Sequence, residues 1–246
     1  MMDDFLTVYK ERQKEIEDFF VLLKFLETKE NSRHDGESEF DQFFHNGERQ
    51  INLTYQALVN IMKSNASLMI YNVIEYTVTN LVYSIYYEIE KNKLSYFDVN
   101  ECIRELWKKM MLKAASDPNA SFNTFAKKND EIIKAILDRH IIKLEVKNSL
   151  PAGNLDAKEI QKLFEKHGID IDQKSINFRR SINIMDKIKL DRNNLGHGSM
   201  AFTEALRENT INELEDSYNY VKKFLDELIL FVREFLKNKE YQQKSA

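Results

Sequence analysis

From residue 53 to residue 93 the chain runs without a glycine or a proline, and the middle of that run is apolar on most faces. A strand of that length would outrun any ordinary sheet, whereas a helix satisfies its own backbone however long it grows. One long helix is therefore expected, with neighbours on most of its sides. The rest of the chain agrees. Its 246 residues hold only 6 Gly and 2 Pro, too few breakers for the many turns of a sheet protein. The expected fold class is all-α, built from long helices.

The most apolar stretch, 68–87, carries Asn72, Glu75, Thr77, Thr79 and Asn80. A lipid-exposed span would not hold so many polar groups. The stretch reads as a buried core helix, and no membrane is expected as a partner. Tyr71, Tyr76, Tyr83, Tyr86 and Tyr87 lie along it, and each buried hydroxyl needs a partner. Glu75 stands in the apolar centre. A carboxylate there needs a cation from another helix or a hydrogen bond from a buried tyrosine.

Periodicity marks the other helices. Phe5, Val8, Arg12, Ile16, Phe19, Leu23 and Leu26 recur at spacings of three and four. They predict a first helix over about 3–27, with one charged interruption at Arg12. The polar stretch TKENSRHDGESEFDQ then reads as a mobile loop. A helix is expected at 99–115, with Trp107 filling the core, and another at about 122–146. Pro151 and Gly153 mark a turn. Asp156 with Glu159 is a capping-box pattern opening AKEIQKLFEKH, which Gly168 closes. Thr210 with Glu213 repeats the pattern before the last helix. There Ile211, Leu214, Tyr218, Val221, Leu225, Leu228, Val232 and Phe235 alternate spacings of three and four. That seam suits either packing inside one bundle or a helix of a second chain. Residues 1–246 read as a single domain, with 95–171 a helical insertion between core helices and 238–246 a polar tail.

The formal net charge is −4, so contact with phosphates would rest on local patches. The lone cysteine, Cys102, permits no internal disulfide and reads as a core residue. With a charged, non-signal start, it predicts a cytoplasmic setting. His34 and His45 read as surface residues, and His140 and His167 as helix-end residues favoured by the helix dipole. The basic run Arg104, Lys108, Lys109 and Lys113 reads as a solvated helix face.

The segment KIKLDRNNLGHGSMAF places His197 between Gly196 and Gly198. Ile184, Ile188 and Leu195 predict a helix that ends at Gly196. On an unbroken helix Arg192 and His197 would lie roughly 140° apart. A break at Gly196 could fold the imidazole back toward the guanidinium, or two chains could each contribute a pair to a shared cleft. The chemistry suits phosphodiester cleavage. Histidine moves protons near neutral pH. Arginine keeps its charge, grips phosphate through a planar fork and can stabilise a pentacovalent transition state. RNA brings its own 2′-hydroxyl nucleophile, so neither metal nor cofactor is expected. The lead-in is basic: Arg179, Arg180, Lys187, Lys189 and Arg192 outnumber Asp186 and Asp191. Taken locally, the same residues equally suit a helix cap.

The wider chain resembles the HEPN family (higher eukaryotes and prokaryotes nucleotide-binding), in its bacterial stand-alone nuclease branch. Arg192-Asn193-Asn194-Leu195-Gly196-His197 is similar to the family's RxxxxH motif. The resemblance extends to the early DFF…LLKFLE helix, to NASLMIYNVIEYTVTNLVYSIYYEI, to AGNLDAKEIQKLFEKHGI, and to LGHGSMAF with the long helix after it. Residues 116–148 match least.

That resemblance implies a HEPN-like helical bundle that forms a homodimer with two motifs facing one another. It implies a metal-independent endoribonuclease that leaves a 2′,3′-cyclic phosphate, in a toxin or antiviral defence role. RNA would be the substrate, and an antitoxin or a neighbouring defence protein a further partner. By the family's pattern Arg192 would hold phosphate, His197 would transfer protons and Asn193 would orient one of them. Glu75 is then a candidate to hold Arg192, with Asn80 a further candidate of that kind. Arg179, Arg180, Lys187 and Lys189 would bind RNA. The resemblance also allows a non-catalytic HEPN module that binds nucleotides or a partner in a defence or restriction-like system.

Overall fold

In the computed structural model the breaker-free run forms one helix. The structure describes residues 2–31, 54–113, 122–151 and 154–243. Its helices are α1 (Met2–Asn31), α2 (Tyr55–Lys91), α3 (Glu101–Lys113), α4 (Phe122–Leu137), α5 (Val146–Ser149), α6 (Ala157–Glu165), α7 (Ile171–Lys174), α8 (Phe178–Gly196) and α9 (Ile211–Lys237). Among the described residues β-pairing is limited to isolated bridges, Ser95 with Ile141 and Val99 with Gln242. The protein is all-α. No described helix is long and apolar enough to cross a membrane.

Helix starts follow the capping patterns. Thr210 and Glu213 form a reciprocal box: the Thr210 amide donates to Glu213 Oε2 (2.9 Å), and the Glu213 amide to Thr210 Oγ1 (3.2 Å). At α6 only half the box closes. The Glu159 amide donates to Asp156 Oδ1 (2.8 Å), while the Glu159 carboxylate pairs with Lys162 (2.7 Å).

Helix ends are less legible. The α2, α4 and α9 helices stop in the same left-handed turn, in which an amide reaches back five residues. The turning residues are Lys93 (φ 52°), Arg139 (φ 50°) and Lys239 (φ 53°), and the closing bonds are Leu94 N–H to Ile89 O, His140 N–H to Ala135 O and Glu240 N–H to Phe235 O. A side-chain-bearing residue in that region costs roughly 1 kcal/mol, and it leaves no glycine for a reader to find. This is why the helix expected at 122–146 stops at Leu137. In the other direction, α1 runs past the expected end and takes Thr28–Asn31 from the expected loop. The rest of that loop, with His34 and Gly36, lies outside the described residues, as do His45, 114–121 and Gly153.

The chain divides into two compact units. Unit 2 comprises 3–76 and 180–223. Its core includes Phe5, Ile16, Phe20 and Leu23 of α1, Ile70, Tyr71 and Ile74 of α2, Met185 and Ile188 of α8, and Tyr218 and Val221 of α9. The Phe20 and Tyr218 rings stand 6.0 Å apart, and the Tyr218 hydroxyl donates to Gln13 O at 3.2 Å. The buried Lys63 ammonium donates to the carbonyls of Arg207 (3.2 Å) and Asn209 (2.9 Å), and Ser64 Oγ donates to Phe202 O (2.7 Å). These bonds tie the connection between α8 and α9 to α2.

Unit 1 comprises 1–2, 77–179 and 224–246. Its core includes Leu81, Val82, Ile85, Ile103, Trp107, Ile160, Phe164, Phe224, Leu228 and Phe235. Trp107 is thus a core side chain. The segment 95–171 lies wholly in this unit. The polar end of the chain is anchored there too: the Asn100 amide donates to Tyr241 O (2.9 Å), the Gln243 amide donates to Asp98 O (2.8 Å), and the Tyr241 ring is buried.

Every apolar position of the α9 seam, from Ile211 to Phe235, is buried within the chain. Internal packing uses the whole seam. The 68–87 stretch is less uniformly buried than its composition suggests: Asn72, Tyr83 and Tyr87 are exposed, and the Glu75 side chain is 34% exposed. Its polar residues mark a stripe that reaches solvent. His167, expected to use the helix dipole, is instead fully buried. Its Nδ1 lies 2.7 Å from Leu163 O and its Nε2 lies 2.9 Å from the Tyr86 hydroxyl. Burial holds its pKa down at about 4, so it binds as a neutral ring through hydrogen bonds rather than as a charge.

Candidate functional site

The RNNLGH segment closes α8. The His197 amide still donates to Asn193 O (2.9 Å), in the helical pattern. The Gly198 amide then donates to Leu195 O (3.2 Å) and the Ser199 amide to Asn194 O (3.0 Å). The residue that turns the chain is Gly198, at φ +68°, two positions beyond Gly196. Gly196 is the last helical residue, and a Cβ there would meet nothing within 4 Å. The helix thus ends at Gly196 as its spacing predicts, while the left-handed turn falls at Gly198 and the His197 amide keeps the helical hydrogen-bond register. Arg192 and His197 therefore keep their helical separation of roughly 140°. The His197 imidazole is exposed, and among the described residues no hydrogen bond or ion pair engages it.

Arg192 is held on three sides. Its Cζ lies 5.0 Å from the centroid of the Tyr71 ring. Its Nη2 lies 3.9 Å from Glu75 Oε1, and its Nη1 donates to Asn193 Oδ1 at 3.0 Å. The side chain is 32% exposed, so the fork is oriented by α2 and still reaches solvent. A guanidinium carries five N–H donors, and donors remain for a phosphate. Tyr71 was not singled out by sequence. Its signal was only a place in the tyrosine-rich run, since nothing local shows which ring an arginine will cover.

The remaining candidates scatter. Lys187 is exposed on α8. Asp191, one helical turn later, is half-buried; burial pushes its pKa up to about 6, partly offset by the Lys187 charge. Lys189 pairs with Asp186 at 3.4 Å, and Arg180 is exposed. Arg179 and Asn80 belong to unit 1; Arg179 Nε lies 3.9 Å from Asp172 Oδ1. Two members of the second basic run are engaged structurally: Arg104 donates to Tyr96 O (2.9 Å) and Phe97 O (3.0 Å), and Lys108 pairs with Glu105, while Lys109 is exposed. Among the described residues no three His, Cys, Asp or Glu side chains are grouped as a metal-ligand set.

The chain matches the model of the MAE_28990-like HEPN family over residues 1–241. It belongs to the HEPN family. Membership places this HEPN protein among proteins with RNA-associated roles. No curated protein and no solved structure matches it.

Proposed function

We propose that this HEPN protein is a metal-independent endoribonuclease of the RxxxxH type, acting as a homodimer in a toxin or antiviral defence role. The observation that carries this reading is the divergence within one motif. Arg192 is steadied by Glu75, Tyr71 and Asn193, whereas His197 stands bare at the helix end. A single chain does not bring the two together, so a second copy supplies the facing motif. In the shared cleft one imidazole takes the proton of the RNA 2′-hydroxyl as its oxygen attacks phosphorus. The facing imidazole gives a proton to the departing 5′-oxygen as the P–O5′ bond breaks. The Arg192 forks stabilise the charge that builds on the phosphoryl oxygens. The products are a 2′,3′-cyclic phosphate and a 5′-hydroxyl. Glu75 and Asn193 act through Arg192 as positioning residues, and exposed Arg180 and Lys187 draw the strand in.

The test is cleavage of single-stranded RNA by the wild type, His197→Ala and Arg192→Ala, with the ends of the products identified. Each substitution is expected to lower the rate by about 10³-fold, with activity per chain falling on dilution below the dimer's dissociation constant. Wild-type dimer that binds nucleotides and cuts no RNA would favour the non-catalytic module. Undiminished cleavage by His197→Ala would remove this site assignment.

A further inference from the structure

The apolar stripe of α1 has one charged position, Arg12, and the structure gives it an unusual setting. Its Cζ stands 4.2 Å from the centroid of the Tyr76 ring. Its Nε is buried and meets no hydrogen-bond acceptor, and among the described residues no carboxylate pairs with the guanidinium. Beside it opens a cavity of about 90 Å³ lined by Arg12, Glu15, Ile16, Met69, Asn72 and Val73. All of these residues belong to unit 2, as do Arg192, Tyr71 and Glu75.

The arrangement repeats that of Arg192. Each arginine lies over a tyrosine of α2, Arg192 over Tyr71 and Arg12 over Tyr76. The two rings are about 7.5 Å apart along the helix axis, from a rise of 1.5 Å per residue. They also lie roughly 140° apart around α2, so the two guanidiniums flank its solvent-facing stripe from either side. Between the two rings α2 presents Asn72 and Glu75, which both reach solvent. Stacking on a ring fixes a guanidinium's plane and leaves its edge for a phosphate. The pairing differs at one point: Arg192 has Glu75 as a counter-ion, whereas among the described residues Arg12 has none. A buried N–H without an acceptor is costly, and an anion drawn against the partly exposed guanidinium would offset that cost. The adjoining cavity sets the Asn72 amide and the Glu15 carboxylate beside Ile16, Met69 and Val73, polar groups for a base or ribose edge and apolar ones for its faces.

From this juxtaposition we propose that Arg12 and the cavity beside it form a second phosphate subsite, which holds the single-stranded RNA that Arg192 grips. The proposal rests on the cleavage reading for the identity of its ligand. Arg12 is a binding residue for a phosphate other than the scissile one, and Asn72 faces the nucleotide held there.

The test uses the full chain carrying His197→Ala, so that RNA survives, and a fluorescein-labelled single-stranded oligoribonucleotide of mixed sequence. Anisotropy is read across a salt series. Arg12→Met is expected to weaken binding about tenfold at low salt and to reduce the log–log salt slope by about 0.7, the increment of one phosphate contact on a single strand. Arg12→Lys keeps the slope and recovers part of the affinity, because the charge remains and the planar fork is lost. With His197 restored, Arg12→Met raises KM and leaves kcat within about twofold. A merely structural arginine would not change the salt slope, so equal affinity and slope in Arg12→Met overturn the proposal. Exposed Asn72→Asp covers the case in which Arg12→Met fails to fold. It is expected to weaken binding severalfold by adding a negative charge at the subsite, and unchanged binding overturns the proposal. RNA binding that depends on Arg12 in a protein that cuts nothing would keep the subsite and remove the nuclease. Cleavage with binding indifferent to Arg12 would do the reverse.

Discussion

A histidine followed by a left-handed glycine closes a helix twice in this protein, and the two imidazoles have opposite settings. In unit 1, His167 precedes Gly168 (φ +91°). In unit 2, His197 precedes Gly198 (φ +68°). The backbone turns are alike: the Ile169 amide reaches Phe164 O as the Ser199 amide reaches Asn194 O. His167 is fully buried. Its Nδ1–H donates to Leu163 O, so its Nε2 accepts from the Tyr86 hydroxyl, whose oxygen also meets Ser149 Oγ. Both ring nitrogens are satisfied within the chain, and a satisfied buried ring serves the fold. His197 is exposed, with both nitrogens left to solvent or substrate. One dipeptide and one turn thus serve structure in the first case and suit chemistry in the second, and the surroundings make the difference.

The contrast breaks most sharply at His197. His197→Ala is expected to cost about 10³-fold in RNA cleavage rate and to leave the urea midpoint within experimental scatter. A large fall in stability with no loss of activity would erase the distinction between the two histidines. In unit 1 the signs reverse. His167→Ala leaves a cavity and strips Tyr86 of its acceptor, for a loss of about 3 kcal/mol in urea unfolding. Tyr86→Phe should cost about 1–2 kcal/mol by orphaning the ring nitrogen. A neutral result at both positions would show that the buried network is not what holds this helix end.

A smaller effect belongs to Glu75. Glu75→Gln keeps its shape and removes the charge facing Arg192. It should lower kcat/KM for RNA about tenfold with little change in stability, and a drop no greater than that of a distant surface variant would remove Glu75 as a positioning residue.

The smallest expected effect is a pH dependence in which the two regions oppose each other. The folded-state pKa of His167 is depressed to about 4. Its contribution is present above the unfolded value near 6.5 and is lost as pH falls toward 4. The pKa of Asp191 is raised from 3.8 to about 6. Burial penalises its charged form, so stability on its account is full at low pH and is lost as pH rises through 6. Asp191→Asn should stabilise the protein by about 1 kcal/mol at pH 8, allowing for partial exposure. The gain should vanish near pH 4, which leaves a steeper loss on the acid side. Urea titrations across pH 4 to 8 read both arms, and a gain independent of pH would point to packing instead.

Much of the helix framework could be read in advance because its signals are local. The breaker-free run became α2, the Thr210–Glu213 pair became a closed capping box, and the unbroken α9 pattern became a wholly buried seam. Helix ends without glycine could not be read: Lys93, Arg139 and Lys239 turn the chain with no residue that announces it. The candidate site was legible in part. Glu75 carried the expectation of a distant cation, and the structure puts Arg192 Nη2 3.9 Å from it. The charged interruption at Arg12 was visible too, but its tyrosine and its missing acceptor were not.

The amino-acid sequence by itself determined that this chain is helical, where its longest helices lie, and that an arginine and a histidine stand five residues apart near a helix end. These follow from hydrogen bonds and side-chain spacings that span a few residues. Tertiary structure alone decided that Arg192 is steadied by α2, that the α9 seam is used up internally, and that His167 is sealed while His197 is bare. Such outcomes depend on which distant surfaces pack together. Packing sums weak contacts over the whole chain, and no short stretch of residues contains that sum.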